Sequence, residues 1–402
     1  MRSSERAGFS GETPPARFNL TAYAIGRSAR ATPDATALVV ATNPDADNLE
    51  TWSFAALEIE ALKAGAVLIG LGLAPGDRIL IQLPNTSLYA IAYFGAIAVG
   101  LIPIPASDQL TPPERDFLLR DSGSRAILTD RHITGRDGVE VINPERLKAL
   151  IQAAEPASYS DTTAETPAYL VYTSGTTSQP KGVLHAHRAA WGRRPMYQGW
   201  YGLRSTDRVL HAGAFNWTYT LGTGLTDPWA NGATALVYTG EKTPDLWPRL
   251  IRKLDATLFA TVPGLYRQLL KYARSDLRAL PTLRHGLMAG EQPPADLIPD
   301  WQALTGKSIY EALGMSEMST FISTSPATPT RAGFAGRPQP GRRVEILPTE
   351  LREDATANAT PLPDGEEGLL AVHRSDPGMM LGYWHRPDAE REVFRGEWFV
   401  GG

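Results

Sequence analysis

The sequence predicts an α/β protein with two doubly wound, largely parallel sheets, flanking helices and a small β-rich unit that resembles a distorted barrel. Apolar runs of helix length alternate with apolar runs of strand length from Phe18 to about Leu128, and the alternation resumes from His187. Repeated strand–helix units are typical of parallel sheets covered by helices on both faces. From about Arg331 the sequence changes to Gly, Pro and short apolar runs, which favour short strands. We therefore expect a flexible arm over 1–17, α/β units over 18–166 and 167–330, and a β-rich unit over 331–402.

In the first unit, apolar periodicity and helix-ending residues locate the elements. We expect helices over 20–30, 54–69 and 87–99, a helix that starts at Thr111, and strands over 37–40, 79–83, 101–105 and 125–129. Thr111, Pro112 and Glu114 form a capping box with proline at the first helical position. The stretch from Leu88 to Ser107 has no charge and could span a bilayer by length. Gly100 and the Pro-containing run after it favour a buried helix followed by an interior strand instead.

In the second unit the same alternation continues. We expect helices over 187–199, 220–230, 243–254, 263–272 and 294–304, and strands over 169–172, 209–211, 233–238, 257–261, 285–289 and 308–310. The β-rich unit has short apolar runs at 344–347 and 369–372. No repeat of fixed period and no low-complexity tract interrupts this organisation.

Composition narrows the class of protein. The 402 residues are 43% hydrophobic with a formal net charge of -4, which suits a soluble protein with several packed units. No basic block is present, so nucleic acid is not expected as the main partner. The chain has no cysteine, which excludes disulfides, thiolate metal sites and a cysteine nucleophile and fits a cytoplasmic location.

A hydroxyl-rich loop follows the apolar strand that starts at Tyr169, in the sequence YLVYTSGTTSQPKG. Its glycines allow backbone N–H groups to turn inward, its hydroxyls can donate to oxyanions, and its lysine adds a positive charge. The loop therefore predicts a phosphate-binding site, whose residues are Thr173, Ser174, Gly175, Thr176, Thr177 and Lys181. The alternative is an ordinary surface turn rich in Ser, Thr and Gly.

The loop is not a Walker A motif, because Gly182 follows Lys181 instead of preceding it. It resembles the phosphate-binding signature of the AMP-forming acyl- and aryl-CoA ligases, adenylation domains and luciferases, whose usual form is YTSGTTGxPKG. Ser178 replaces the glycine that is usual in that family. The run from Glu317 to Ile346 is most similar to the benzoate and aryl-CoA ligase branch.

The resemblance implies further residues for binding ATP or AMP. The family's adenine-binding GExxP turn matches Gly290, Glu291 and Gln292, and its YGxTE element matches the segment around Gly314, with Leu313 in place of the usual aromatic residue and Ser316 in place of threonine. The residues implied in this second element are Glu311, Ala312, Leu313, Gly314, Met315 and Ser316. Glu317 would bind the Mg²⁺ that accompanies ATP, whereas taken alone it would be a turn or N-cap glutamate. Thr173, Lys181 and Glu317 are the implied catalytic residues.

The family's acyl-pocket element resembles the segment HAGAFNWTYT. The implied substrate pocket consists of His211, Phe215, Asn216, Trp217, Thr218, Tyr219, Gly290, Gly314 and Thr320. Without the resemblance, aromatic residues so close together would be interpreted as core. His185 and His187 lack a third ligand at suitable spacing and are interpreted as structural.

The C-terminal quarter also resembles the family. The stretch from Gly365 to Pro387 resembles the element GELxxxGxxxxxGYxxxP, and GEWFVGG resembles the lead-in to the family's TGD motif. The chain ends one residue before the aspartate of that motif would appear. We therefore expect only the large N-terminal part of a complete member, without the small C-terminal domain and with impaired turnover.

These observations predict an AMP-forming carboxylate–CoA ligase that uses ATP, Mg²⁺ and CoA. The segments Phe215–Tyr219 and Ser319–Ile322 contain no Asp or Arg to pair with a second charge, so we expect an uncharged aryl, alicyclic or short-to-medium aliphatic acid. The expected partners are that acid and CoA, with no nucleic acid and no membrane span, and a homodimer is one option for assembly. Two alternatives stay open: an enzyme that loads a carrier protein, and a nucleotide- or acyl-binding module without full turnover.

Overall fold

The computed structural model describes residues 11–133, 138–173, 179–331, 333–349 and 360–401. The strands of the N-terminal half are β1 (Thr36–Ala41), β2 (Leu49–Ser53), β3 (Arg78–Gln82), β4 (Ile102–Ala106), β5 (Ala126–Thr129), β6 (Glu140–Ile142), β7 (Pro167–Thr173) and β8 (Lys181–Ala186). The later strands are β9 (Arg208–His211), β10 (Thr234–Tyr238), β11 (Leu258–Thr261), β12 (His285–Ala289), β13 (Ile309–Met315), β14 (Ser319–Ser323), β15 (Arg337–Pro338), β16 (Val344–Leu347), β17 (Leu369–His373), β18 (Gly382–Tyr383), β19 (Phe394–Arg395) and β20 (Trp398–Phe399).

Two sheets with parallel pairing form the α/β part of the molecule. The larger sheet has the order β15-β14-β13-β12-β11-β9-β10-β1-β2, in which the central strands from β13 to β1 are parallel and the edge strands antiparallel. The smaller sheet, β4-β3-β5-β6, is parallel throughout. These sheets and the helices beside them confirm the predicted α/β class. Strand β1 belongs to the larger sheet, which therefore joins strands of both predicted α/β units.

The α-helices connect these strands. They are α1 (Arg27–Ala31), α2 (Phe54–Gly70), α3 (Ser87–Ala98), α4 (Pro112–Ser122), α5 (Pro144–Ala153), α6 (Arg194–Met196), α7 (Thr218–Leu221), α8 (Asp227–Ala230), α9 (Leu246–Lys253), α10 (Pro263–Tyr272), α11 (Leu297–Thr305) and α12 (Pro387–Val393). The expected capping box forms at the start of α4, where the Glu114 carboxylate accepts from the backbone N–H and the hydroxyl of Thr111. The continuous helix expected over 187–199 is instead a series of short 3-10, α and π turns.

The uncharged stretch at 88–107 is part of the protein core. Every residue of α3 is buried, Gly100 has a φ of 83°, and β4 after it is buried along its length. Helix α3 packs against α2 so closely that a Cβ on Gly95 would lie 2.4 Å from the carbonyl oxygen of Ala61. The expected buried helix and strand are confirmed. Among the described residues no helix is both long and apolar enough to cross a membrane.

Two antiparallel sheets complete the fold. Strands β7 and β8 form a hairpin, and β18 adds to the free edge of β8. Strands β16, β17, β20 and β19 form a four-stranded sheet in the expected β-rich region. Because β18 comes from the C-terminal region, it ties that region to the hairpin that carries the predicted phosphate loop.

Candidate active site

The β7–β8 hairpin positions the first two candidate catalytic residues. Thr173 and Lys181 face each other as the last register pair of the hairpin. Gly182 pairs with Tyr172, and a Cβ at position 182 would lie 3.1 Å from the side chains of Leu170 and Trp384, so glycine fits this crowded position. Ser174, Gly175, Thr176, Thr177 and Ser178 lie outside the described residues. The sequence did not predict β8, so the loop was expected to lead directly towards a helix.

Glu317 lies in the turn between β13 and β14, at the same end of the molecule as Lys181. The hydroxyl of Tyr383 donates to Oε1 of Glu317 at 2.7 Å. The ammonium of Lys181 lies 5.5 Å from the centroid of the Tyr383 ring. Burial, followed by the negative charge of Glu317, raises the pKa of Tyr383, so this hydroxyl keeps its proton near neutral pH. Tyr383 thus contacts two of the three candidate catalytic residues.

Backbone contacts hold this turn from both sides. The N–H of Met380 donates to the carbonyl oxygen of Glu317 at 2.7 Å, and His185 Nε2 lies 2.7 Å from the carbonyl oxygen of Ser316. Burial lowers the pKa of His185 to about 4, so its ring is neutral and donates from Nε2. A Cβ on Gly314 would lie 2.6 Å from Thr320 Cα, which explains glycine at that position. The backbone of the turn is therefore held by Met380, by His185 of β8 and by β14, and the Glu317 carboxylate itself is bound by Tyr383 of β18.

The Glu317 carboxylate suits a metal that phosphate oxygens help to bind. Within the described ranges, no cluster of three or more His, Cys, Asp or Glu residues could hold a metal ion alone. Glu317 accepts a side-chain hydrogen bond on Oε1 only, as far as the described residues go. Oε2 is consequently available for a cation. Mg²⁺ usually takes one or two carboxylates together with substrate phosphates, so this single carboxylate fits it.

A cavity of about 600 Å³ opens at the carboxyl ends of β12 and β13. These parallel strands are in register, with Met288 beside Glu311 and Ala289 beside Ala312. Seven of the predicted nucleotide-binding residues line the cavity, namely Gly290, Glu291, Gln292, Glu311, Ala312, Leu313 and Gly314. Met315, the last residue of β13, and Ser316, in the turn after it, do not line this cavity. Burial raises the pKa of Glu311. The two segments that the sequence linked to adenine therefore share one cavity.

The predicted acid pocket begins with His211 at the end of β9. His211 is buried, its Nδ1 accepts from the N–H of Gly213 at 2.9 Å, and its ring meets the Tyr219 ring edge to face with centroids 4.4 Å apart. Burial lowers the pKa of His211 to about 3, so the ring is neutral and its proton is on Nε2. That buried Nε2–H has no partner among the described residues. An unpaired buried donor is costly, so this N–H is a candidate contact for a bound molecule.

The other predicted pocket residues divide between core and surface. Phe215 is buried and packs against Tyr89, while Trp217 is 55% exposed. Thr320 is buried and accepts from Gln339 at 3.1 Å. Thr218 lines a second, narrow cavity of about 30 Å³. Asn216 lies between Phe215 and Trp217 and is partly exposed. Of the predicted pocket residues, Thr218 lines the narrow cavity and Gly290 and Gly314 line the larger one, whereas Phe215 is in the core and Trp217 at the surface.

A buried ion pair borders this narrow cavity, and sequence reasoning missed it. Arg193 donates from Nε and Nη2 to the two carboxylate oxygens of Asp227 at 2.8 and 2.7 Å, and from Nη1 to Ser319 Oγ at 2.5 Å. A Cβ at Gly222 would lie 2.1 Å from Arg193 Cζ. Arg193 and Asp227 lie outside Phe215–Tyr219 and Ser319–Ile322, the two segments from which an uncharged acid was predicted. Because the pair is neutral as a unit, it leaves the expectation of an uncharged acid in place.

The fold and these residues define an adenylate-forming enzyme that activates carboxylic acids. The sequence matches the family described as AMP-binding enzyme over residues 25–384, and the chain belongs to that family.

Several characterised relatives share this organisation. The chain is 27% identical to a benzoate–CoA ligase of Thauera aromatica over 97% of its own length and 75% of the relative's. It is 29% identical to a 4-hydroxybenzoate–CoA/benzoate–CoA ligase of Rhodopseudomonas palustris over 88% of its own length and 67% of the relative's. A solved benzoate CoA ligase from Burkholderia xenovorans superposes with a TM-score of 0.81 at 28% identity, over 96% of this chain and 77% of that one.

Proposed function

We propose that the protein activates a carboxylic acid with ATP and transfers the acyl group to CoA. The observation that carries the proposal is the convergence of Lys181, Tyr383 and Glu317 beside the hairpin that holds the phosphate-loop signature. Tyr383, through its hydroxyl and its ring, connects the candidate metal ligand Glu317 with the candidate phosphate ligand Lys181. Family membership and relatives named as CoA ligases support the same reaction.

In the first step a carboxylate oxygen of the acid attacks the α-phosphorus of ATP. The bond from that phosphorus to the bridging oxygen breaks, and pyrophosphate leaves with the electron pair. The step needs alignment of two anions and compensation of phosphate charge. We assign phosphate binding to Lys181 and Thr173, the residue pair at the end of the hairpin that leads into the signature loop. Glu317 would hold Mg²⁺, which neutralises phosphate charge when bound.

In the second step the thiol of CoA releases its proton to solvent and its sulfur attacks the acyl carbonyl carbon. The bond from that carbon to the phosphate oxygen breaks, and AMP leaves with the electron pair. We place the acid near His211, whose unpaired Nε2–H would provide a donor for an acyl or carboxylate oxygen. Thr218, which lines the narrow cavity, would lie on the other side of the acid. Transfer to a carrier protein has no specific observation in its favour.

We propose an uncharged aryl, alicyclic or short-to-medium aliphatic acid as the substrate. Among the described residues that line the narrow cavity, Arg193 is the one charged side chain, and its ion pair with Asp227 neutralises it. A second carboxylate or an ammonium would have to be buried without a counter-charge. The absence of cysteine supports a cytoplasmic location, and a homodimer is the assembly we would test first.

An acid panel tests this proposal. The chain is incubated with ATP, Mg²⁺ and hydroxylamine, and hydroxamate is measured with benzoate, cyclohexanecarboxylate, butyrate, malonate and glycine. Calorimetric titration with ATP runs in parallel. We expect ATP to bind and one of the three uncharged acids to give the most hydroxamate. Preference for malonate or glycine would contradict the substrate class, and ATP binding without any hydroxamate would support the binding-module alternative for this chain.

A further inference from the structure

The guanidinium of Arg193 has a second partner besides the carboxylate of Asp227. Its Nε and Nη2 donate to the two carboxylate oxygens of Asp227 on α8, and its Nη1 donates to Oγ of Ser319 at 2.5 Å. Arg193 is 7% exposed and Asp227 is fully buried. Buried donors need acceptors, so the guanidinium requires the Ser319 hydroxyl as well as the carboxylate. Arg193 therefore connects helix α8 with the start of β14.

Ser319 is the residue at which the turn that carries Glu317 closes. In the hairpin of β13 and β14, Ser319 pairs with Met315, and Glu317 is the middle one of the three residues between them. Ser319 has a φ of 75°, a left-handed conformation that costs free energy for a residue with a side chain. Such a conformation persists only where neighbouring contacts hold it. The hydroxyl makes two such contacts, because it accepts from Arg193 and donates to Sδ of Met196 at 3.6 Å.

The segment that carries Arg193 is itself closely packed. A Cβ on the preceding Gly192 would lie 2.1 Å from the backbone nitrogen of Gly378. At the other end of the side chain, the Asp227 carboxylate also accepts from the Tyr201 hydroxyl at 2.7 Å. Arg193 is thus held both at its backbone and through its carboxylate partner. Its contact to the turn therefore ties the turn to a fixed part of the structure.

The turn is held on both sides of Glu317. Before it, the carbonyl oxygen of Ser316 accepts from His185, and after it lies the contact at Ser319. The Glu317 carboxylate accepts from the Tyr383 hydroxyl on Oε1, and the direction of Oε2 follows the backbone of the turn. Groups that orient a metal ligand without touching the metal commonly change metal affinity by about 10–100-fold. The contact at Ser319 is placed to have such an effect.

We infer that Arg193 is a positioning residue for the candidate metal site: through Ser319 it sets the orientation of the turn from which Glu317 presents its carboxylate to Mg²⁺. The inference rests on the proposed function, since it requires Mg²⁺ and ATP to bind beside Glu317. Arg193 does not line the cavity assigned to the nucleotide but the narrow cavity assigned to the acid. One side chain thus borders the acid pocket and holds the metal turn.

Calorimetric titration with ATP, once with Mg²⁺ and once with EDTA, tests the inference without any turnover. The ratio of the Kd in EDTA to the Kd in Mg²⁺ measures how much the metal contributes to binding. Ser319→Gly is the decisive variant, because glycine adopts a φ of 75° without strain and the ion pair of Arg193 stays intact. We expect this ratio to fall about tenfold, as for other groups that orient a metal ligand, with the Kd in EDTA unchanged.

Ser323→Ala is the matched control. Ser323 is a buried serine at the other end of β14, and its hydroxyl donates to the carbonyl oxygen of Gly199 at 2.7 Å. Its loss should lower the melting temperature and leave the Kd ratio unchanged. An equal fall of the ratio in Ser323→Ala and Ser319→Gly would indicate a general loosening of β14 and would overturn the inference.

Arg193→Lys assigns the effect to the contact between Arg193 and Ser319. Lysine keeps a positive charge beside Asp227, but one ammonium does not reproduce the planar fork that reaches Asp227 and Ser319 together. We expect Arg193→Lys to lower the Kd ratio about as much as Ser319→Gly, and the double variant to lower it no further. Additive losses would show that Ser319 acts independently of Arg193 and would overturn the positioning role. Thermal melting checks that every variant is folded, and Ser319→Gly alone decides if Arg193→Lys is not.

Failure of the proposed function and failure of the inference give different results. If the unaltered protein bound no ATP, or bound it equally well in Mg²⁺ and in EDTA, the proposed metal site would fail and the inference with it. If the unaltered protein showed a clear Mg²⁺ effect and Ser319→Gly retained it, the inference alone would be overturned. An equal rise of both Kd values in Ser319→Gly would also overturn it, because that result would indicate general damage to nucleotide binding.

Discussion

The hydroxyl of Tyr383 donates a hydrogen bond of 2.7 Å to Glu317, and the same ring lies 5.5 Å from the ammonium of Lys181. Tyr383 belongs to β18, which pairs with β8, the strand that begins at Lys181. One residue of the C-terminal region therefore positions two charged groups of the candidate site. Among the ion pairs of the described residues, none joins Lys181 directly to Glu317.

Tyr383→Phe removes the hydrogen bond and keeps the ring beside Lys181. We expect the Mg²⁺ concentration that gives half-maximal adenylation to rise by about tenfold or more, because a hydrogen bond to a charged group contributes about 1.5–3 kcal/mol. The melting temperature should change little. Tyr383→Leu also removes the ring and should in addition raise KM for ATP. An unchanged Mg²⁺ requirement in Tyr383→Phe would argue against the positioning role.

Glu317→Gln tests the metal ligand itself. The amide oxygen can still accept from Tyr383, so the local packing is retained, but the negative charge is lost. We expect Mg²⁺-dependent adenylation to fall by about two orders of magnitude or more, as for other electrostatic contributions to charged transition states. Glu311→Gln, at the nucleotide cavity, is the control and should retain the Mg²⁺ response. Full activity in Glu317→Gln would remove Glu317 from the site.

Asp227→Asn tests the buried ion pair. The change leaves Arg193 buried without its counter-charge, so the free energy of unfolding should fall by about 3–5 kcal/mol in denaturant titration. The exposed pair between Arg249 and Asp45 provides the comparison, and Asp45→Asn should change that free energy by less than about 1 kcal/mol. Equal effects at the two sites would show that the Arg193 contact is not a stabilising element of the narrow cavity.

Buried histidines predict a pH dependence of stability. Burial lowers the pKa of His187 to about 4, below the unfolded value of about 6.5, so the unfolded chain binds more protons between these limits. The free energy of unfolding should therefore fall as the pH falls from 6.5 to 4. His187 Nδ1 accepts from the Leu20 N–H. His187→Asn keeps an acceptor without titrating, so its stability should depend less steeply on pH. An identical slope would show that His187 does not contribute.

The sequence predicted the local features of the site and missed the contacts between distant residues. The strand at 285–289 and the turns at Gly290 and Gly314 follow from apolar runs and turn chemistry, which short segments determine, whereas the link of both turns to the nucleotide came from the family resemblance. Strand β8 was not predicted because its own residues are a mixture of polar and apolar types. Its extended conformation comes from pairing with β7. Arg193 and Tyr383 were missed because their partners, Asp227 and Glu317, are 34 and 66 residues away.

The proposed reaction is tested most directly by exchange of labelled pyrophosphate into ATP, which reports the first step without CoA. The assay contains the chain, Mg²⁺, ATP and labelled pyrophosphate. It is run with and without one acid that has no second charged group, such as benzoate. The account predicts exchange that requires both the acid and Mg²⁺ and that Glu317→Gln abolishes. Exchange that proceeds equally without any acid, or that Glu317→Gln leaves intact, would contradict it.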